Sequence, residues 1–396
     1  MPAPRVDGRL GAGLLVGVAL AAGVVVWLGD WRLGDDSAVY RAGALAFLHG
    51  DSLYGPERLS ALPPWVSLPF IYPPAAALLF VPLAALPSGL VWGVVSAASL
   101  VSLAVVVRLC ARRGTLPVAA LTVCALALEP VWKTLVLGQI NLILMALVVV
   151  DVLALASTRW AGVLTGVAAA VKLTPLIFVA HLFVTGRWRA GLRALGTFAG
   201  LQAVMFALTP RDSIRYWTGG GALGPNQWDG AHWIFNQSLG GLVHRATHDA
   251  PWSLIVALVI GAVIVAPAVW LVRRLHARRE TLGALLVTAF VGLLVSPISW
   301  SHHWVWAVPL AVLLAVRRRW LWAGAVVALF GSCVVMLVPN GGDTEFNWGL
   351  GWSIPGNAYV LAAAFGILGL AMRECWTRRG LRARANPGAP GLSHTT

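Results

Sequence analysis

Long apolar runs separated by short polar segments make up most of the 396-residue chain. The first run, residues 10–28, is long enough to cross a hydrocarbon layer of about 30 Å. Further apolar runs lie at 75–86, 90–109, 116–128, 135–156, 161–171, 174–185, 194–209, 252–272, 281–296, 304–316, 320–338 and 355–372. This pattern predicts an all-α polytopic membrane protein with about 10–12 transmembrane helices.

Three places affect that count. Arg5 and Arg9 precede the first run as they would in a secretory signal, but the run continues to Leu28, so we predict an uncleaved helix with a cytoplasmic N-terminus. One of the runs 75–86 and 90–109 is expected to be a half-helix or an interfacial helix. The two short runs around Lys172 are either two tilted helices or a re-entrant hairpin.

The composition excludes a soluble globular domain and a disordered chain. Hydrophobic residues make up 59% of the sequence and charged residues only 11%, and the mean hydropathy is +0.79. Soluble domains are about 45–50% apolar and about 25% charged.

The net charge of +14, from 29 basic and 15 acidic residues, raises the possibility of a nucleic-acid partner. The positions of the charges contradict that interpretation. Most arginines lie in short loops on one side of the predicted membrane, and most acids lie on the other. Because arginine-rich short loops mark the cytoplasm, we predict a multi-pass plasma-membrane protein with both termini cytoplasmic and no nucleic-acid partner.

The three longest polar segments fall on the opposite face, at about 29–72, 210–251 and 339–354. We predict that these are extracytoplasmic loops of one transmembrane domain, residues 1–377, and that any active site lies on their side. Residues 378–396 are rich in arginine, proline and glycine and predict a disordered, basic cytoplasmic tail.

Asp35 and Asp36 follow the first helix directly. Adjacent carboxylates beside a low-dielectric surface can have a raised pKa, which suits a general base, although they also fit a solvated loop start. Lys172, one of only two lysines, lies in an apolar region. A lysine there normally has a partner, and a phosphate is a natural one; the alternative is snorkelling to an interface.

His302 and His303 lie at an outer helix junction. They could hold a lipid phosphate or a reacting hydroxyl, or be part of an interfacial aromatic belt; metal binding is disfavoured because no third ligand stands at a suitable spacing. Gln139 and Asn141 could bind sugar hydroxyls or bridge helices. The segment 226–238 has a composition common in sugar sites and equally in interfacial loops, with Trp228, His232, Trp233, Asn236 and Gln237. No nucleotide-binding motif is present.

Taken together, these segments resemble glycosyltransferase family 87, the actinobacterial polytopic transferases that use polyprenyl-phosphate sugars. The resemblance rests on residues 36–40, His49, Gly50, Leu53, Tyr54, 72–74, 138–142, 171–175, 236–239 and 296–304. The matching stretches extend from residue 36 to residue 304 and occur in the same order as in the family.

The resemblance implies a GT-C fold. It also implies transfer of mannose from polyprenyl-phosphate-mannose to a mannosylated lipid or lipoglycan, such as a phosphatidylinositol mannoside or lipomannan, on the outer face of the membrane. The bond formed is α-(1→2), with inversion of a β-linked donor. The nearest alternative within the family is transfer of arabinofuranose.

The family's loop carboxylate corresponds to Asp36, which would deprotonate the acceptor hydroxyl, with Asp35 as a possible substitute one position away. Residues expected at the donor phosphate are His302, His303 and Lys172. Residues expected at the sugar or acceptor are Tyr40, Gln139, Asn141, Asn236, Gln237 and Trp300. No metal and no cofactor are expected, because these cations balance the charge of a monophosphate.

Two further hypotheses explain the same helix pattern. A secondary transporter also has 10–12 helices and charges at depth, but it usually carries paired interrupted helices, and here only the region of Lys172 is clearly interrupted. A flippase or scaffold for envelope lipids would need no base. We therefore favour the transferase.

Overall fold

Helices form nearly all of the regular structure in the computed structural model, which describes residues 8–55, 57–111, 117–220 and 230–385. The first ten helices are α1 (Gly8–Leu28), α2 (Asp35–His49), α3 (Pro74–Leu79), α4 (Val81–Ala84), α5 (Ser88–Cys110), α6 (Val118–Ala125), α7 (Glu129–Leu137), α8 (Asn141–Leu153), α9 (Val163–Val171) and α10 (Leu176–Val184). The others are α11 (Trp188–Leu208), α12 (Pro210–Arg215), α13 (Leu239–Thr247), α14 (Ser253–Ala277), α15 (Thr281–Val295), α16 (Ala307–Val316), α17 (Trp320–Gly331), α18 (Val334–Leu337), α19 (Leu350–Gly356) and α20 (Ala358–Ala385). Short 3₁₀ helices lie at Ser301–Trp306 and Thr344–Asn347, and a π-helical turn at Tyr216–Gly220.

The helix lengths confirm the multi-pass membrane class. Among the described residues, five helices are long and apolar enough to cross a membrane, or six if α6 and α7, bent by 73°, form one span. Shorter apolar helices lie at Val16–Leu28, Asn141–Leu153, Thr281–Val295 and Ser301–Val316. If the bent pair and all four of these shorter helices cross, the total is ten crossings, and without the bent pair it is nine, so the count of 10–12 stays a prediction.

The two ambiguous regions take distinct forms. The run predicted at 75–86 is split into the short helices α3 and α4, so the crossing helix is α5. On either side of Lys172, α9 and α10 have nine residues each. Each is about 14 Å long, less than half the thickness of a bilayer core, so neither can cross it alone.

The structure adds helices within two predicted segments. The outer segment 29–72 was expected to be a loop, yet α2 occupies Asp35–His49 within it. Its acids in the first turn and the left-handed Gly50 that ends it are ordinary helix start and stop signals. At the C-terminus, α20 continues to Ala385, past the predicted start of the tail at Arg378; residues 386–396 lie outside the described part of the chain.

Ion pairs join the helix ends that carry most of the arginines. Arg274 of α14 contacts Glu374 of α20 at 2.6 Å, and Arg317 after α16 contacts Glu280 before α15 at 2.6 Å. From this end, α15 leads to the opposite end of the molecule and to the 3₁₀ helix Ser301–Trp306. The helix α15 therefore places the His pair away from the basic end.

The helices α1 and α5 pack closely through glycines. A Cβ atom added at Gly93 would lie 2.7 Å from the Cα atom of Gly23. We predict that Gly93→Val lowers the free energy of unfolding by about 1–3 kcal/mol, because the helices must separate. Thermal unfolding in detergent measures this. Gly17→Val is the matched control, because a Cβ there meets nothing within 4 Å; equal losses in both variants would contradict the packing argument.

Candidate active site

Two glycines bring the start of α2 against the end of α7. Gly34 precedes α2 and Gly138 ends α7, both with positive φ, and a Cβ on either would lie 2.6 Å from the Ser37 hydroxyl. The Gly34 N–H also donates to the Val136 carbonyl at 3.1 Å. This close contact sets Asp36, in the first turn of α2, beside Gln139, just after α7.

The Asp36 carboxylate is held through one of its two oxygens. Oδ1 accepts a hydrogen bond from Gln139 Nε2 at 2.6 Å and one from the Tyr72 hydroxyl at 3.4 Å. Gln139 Oε1 accepts in turn from the Tyr40 hydroxyl at 3.0 Å. Oδ2 accepts no hydrogen bond from any described residue, so this oxygen is available to an incoming hydroxyl.

The environment favours proton transfer at Asp36. Burial raises the pKa of Asp36 to about 7, partly opposed by the positive charge of Lys172, while the neighbouring Asp35 raises it further. Asp35 has its own pKa raised by burial, but its carboxylate accepts no hydrogen bond from the described residues. Of the two candidate bases, Asp36 is the one that the surrounding side chains orient.

Lys172 lies in the break between α9 and α10 and contacts the other half of the site. Its Nζ donates to Asn141 Oδ1 at 3.2 Å and lies 3.1 Å from His303 Nε2. It also lies 5.9 Å from the centre of the Tyr72 ring. The structure therefore brings together the predicted cation, the predicted histidine and the neighbourhood of the predicted base.

His302 packs edge-on against His303, with ring centres 4.8 Å apart. Its backbone carbonyl accepts from Thr134 Oγ1 at 3.1 Å and from Asn141 Nδ2 at 3.2 Å. The His302 side chain is 7% exposed, and neither ring nitrogen has a hydrogen-bond partner among the described residues. A buried imidazole without partners is costly, so a polar ligand group is a natural complement to it.

Tyr72 is a site residue that the sequence did not single out as one. Its hydroxyl contacts Asp36, and its ring centre lies 5.9 Å from Lys172 Nζ. Burial raises the pKa of Tyr72, so the phenol stays protonated and can donate. The signal was available, because Tyr72 begins one of the family-like stretches.

Several residues expected at the sugar instead hold the site together. Tyr40 is fully buried, and its hydroxyl is bonded to Gln139, Tyr72 and the Ile140 N–H. Gln139 and Asn141 are both buried. Gln139 orients the Asp36 carboxylate, and Asn141 accepts a hydrogen bond from Lys172. Their direct contact with sugar stays a prediction.

Asn236 and Gln237, predicted at the sugar, have backbone partners in the structure, and their contact with sugar stays a prediction. Both are completely buried. Asn236 Nδ2 donates to the Ala231 carbonyl, and its Oδ1 accepts from the Ser299 N–H at 2.9 Å. Gln237 Nε2 donates to two carbonyls, and its Oε1 accepts from the Tyr359 N–H. These amides bind backbone and fix the segment before the His pair.

Trp300 remains accessible, and its ring centre is 6.3 Å from that of Trp233, which is 50% exposed. This pair is the part of the predicted sugar surface that faces outward. His232, by contrast, is paired with Asp249 at 3.0 Å. Trp228 lies outside the described residues.

A cavity of about 60 Å³ adjoins His303. Its polar lining includes Asn141, Thr174 and Ser299. Its apolar lining includes Leu144, Met145, Phe178, Leu293 and Trp306. A ligand with a charged head and an apolar chain matches such a lining.

Residues 70–297, more than half of the chain, match the family model described as Glycosyltransferase family 87. The protein is thus a multi-pass membrane glycosyltransferase of the GT-C type. It belongs to glycosyltransferase family 87.

Curated relatives extend the match over nearly the whole chain. A polyprenol-phosphate-mannose-dependent α-(1→2)-phosphatidylinositol mannoside mannosyltransferase of Mycobacterium tuberculosis is 34% identical over 99% of this chain and 99% of its own. A protein of the same name from Mycolicibacterium smegmatis is 33% identical over 80% of this chain and 81% of its own. A phosphatidylinositol pentamannoside mannosyltransferase of M. tuberculosis is 33% identical over 89% of this chain and 84% of its own. No solved structure matches the chain.

Proposed function

We propose that this protein transfers mannose from polyprenyl-phosphate-mannose to a phosphatidylinositol mannoside and forms an α-(1→2) bond. The relatives carry this activity in their names, two of them on phosphatidylinositol mannosides and one on the pentamannoside. The observation that carries the proposal is the arrangement of the half-free Asp36 carboxylate opposite the Lys172–His303 cluster.

The reaction is a single displacement. Asp36 Oδ2 takes the proton of the acceptor hydroxyl as that oxygen bonds to the anomeric carbon of the donor. The bond from that carbon to the phosphate oxygen breaks, and the polyprenyl phosphate leaves with the electron pair. Lys172, His303 and the unpartnered imidazole of His302 stabilise the developing negative charge. Attack from the face opposite the leaving group inverts the anomeric centre.

The cavity next to His303 supports this placement of the donor. A phosphate beside Lys172 would have the apolar side chains of the cavity next to it, against which the start of the lipid chain can pack. The accessible Trp233–Trp300 pair on the same side offers flat aromatic surfaces to the mannose units of the acceptor.

We also propose that the site faces the outside and that both termini are cytoplasmic. The site lies away from the arginine-rich helix ends, which the positive-inside rule assigns to the cytoplasm. A lipid-linked monophosphate sugar is a suitable donor for that face, because the chemistry uses no soluble nucleotide.

The test is transfer by the protein reconstituted in lipid, with labelled polyprenyl-phosphate-mannose or polyprenyl-phosphate-arabinose as donor. Phosphatidylinositol mannosides of two lengths, including the pentamannoside, serve as acceptors. We expect mannose transfer only. Transfer of arabinose alone would establish the arabinofuranosyltransferase instead, and donor uptake without transfer would favour the transporter.

The pH dependence of transfer should report the state of Asp36. Because the base must be unprotonated and its pKa is raised to about 7, the rate should rise with pH through the neutral range and then level off. Gln139→Ala removes a donor to the charged carboxylate, so its curve should move to higher pH. Asp35→Asn removes a nearby negative charge, so its curve should move to lower pH.

The measurement is the rate of transfer between about pH 5 and 9 for the wild type, Gln139→Ala and Asp35→Asn. If the three pH–rate curves coincide, Asp36 is not the group that accepts the proton.

A further inference from the structure

Both lysines of the chain lie at the His pair. Lys172 contacts His303, and Lys133, in α7, donates to the Ser301 hydroxyl at 2.9 Å. Ser301 is the first residue of the 3₁₀ helix that carries both histidines.

A buried carboxylate holds Lys133 in place. Glu129 is 0% exposed and lies one turn earlier in α7. It forms an ion pair with Lys133 Nζ at 3.4 Å, and its Oε1 accepts from the Ser301 hydroxyl at 2.8 Å. The Tyr359 hydroxyl donates to its other oxygen at 3.4 Å. A fully buried carboxylate needs such partners, so these contacts fix the positions of Glu129 and Lys133 relative to Ser301.

The same helix contacts both halves of the site. Thr134, next to Lys133, donates to the His302 carbonyl at 3.1 Å. Gln139, just past the end of α7, orients Asp36. Lys133 also lies 3.6 Å from the centre of the Phe235 ring, which ties the helix to the segment before the His pair.

We propose that Lys133, held by Glu129 and Ser301, is a positioning residue that adds a second positive charge to the donor-phosphate site through the His pair. Glu129 sets how much of that charge reaches the site. This inference rests on the proposed function, because it assumes that a polyprenyl phosphate leaves beside His302 and His303.

The sign of the charge separates this role from a purely structural one. Lys133→Met leaves the negative Glu129 unbalanced near the phosphate, whereas Glu129→Gln leaves the positive Lys133 unbalanced. Glutamine has nearly the shape of glutamate and still accepts from the Ser301 hydroxyl. Loss of a structural bridge would weaken the site in both variants, but a change of charge must act in opposite directions.

The experiment measures the dissociation constant of decaprenyl phosphate and the donor KM for the full chain in lipid nanodiscs. Lys133→Met should weaken binding about tenfold, and Glu129→Gln should strengthen it about threefold. The double variant, which carries neither charge, should bind about threefold more weakly than the wild type, the product of the two single effects.

Weaker binding in both single variants, or no change in either, would overturn the inference. If Lys133→Met fails to fold, Glu129→Gln and the double variant still decide, because the inference requires tighter binding in the first and weaker binding than the wild type in the second. The absence of mannose transfer by the wild type is a separate result, and it would overturn the proposed function itself.

Discussion

Asp36→Asn is expected to lower the turnover of mannose transfer about 10³-fold and to leave the fold intact. Asparagine keeps the shape of the side chain, and it can still bind Gln139 and Tyr72 after a flip of the amide. It cannot take the acceptor proton, and a positioned base contributes about 10²–10⁴-fold. The loss should appear in kcat, because the contacts that bind donor and acceptor remain.

Asp35→Asn is the matched control for that substitution. Its carboxylate is adjacent in sequence, yet no described residue orients it, so this variant should keep turnover within about tenfold of the wild type. The measurement is initial rate at saturating donor and acceptor, with thermal unfolding to verify the fold. A larger loss in Asp35→Asn than in Asp36→Asn would move the base to Asp35.

Lys172→Met should have the second largest effect, a fall in turnover of about 10²–10³-fold. The variant removes the cation that contacts His303 and Asn141, so the leaving phosphate loses its strongest counter-charge. It also removes the positive charge that holds the pKa of Asp36 down. The rise in rate with pH should therefore shift to higher pH as well.

Lys172→Arg keeps the charge and is the control. Because guanidinium and ammonium groups differ in shape, it should recover only part of the activity. Steady-state kinetics over a range of donor concentrations compares the three proteins. Unchanged kcat and KM in Lys172→Met would show that the phosphate binds elsewhere.

The sequence pattern was sufficient for the membrane class and for most of the crossing helices, because apolar length alone decides what can span a bilayer. It did not predict α2, since a composition average over 29–72 conceals the fifteen-residue helix inside it. That helix matters because its first turn carries Asp36. The acids of that turn and Gly50 could have identified it.

The candidate site was predicted unevenly for a physical reason. A charged or ionisable side chain in an apolar region indicates a functional site, and Asp36, Lys172 and His303 do lie in one neighbourhood. Amides are ambiguous, because the same side chain can bind a sugar or a backbone carbonyl. Asn236 and Gln237 do the second, which depends on contacts with Ser299 and Tyr359 that are distant in sequence. The pairing of Lys133 with Ser301 is equally nonlocal.

The configuration and linkage of the product test the central claim most directly. Product formed by the wild type from β-linked polyprenyl-phosphate-mannose and a phosphatidylinositol mannoside can be isolated and its new glycosidic bond assigned by NMR. A single displacement with Asp36 as base predicts one added mannose in α-(1→2) linkage. A β-linked mannose would require a double displacement and contradict the mechanism, and an added pentose or no product would contradict the proposed function.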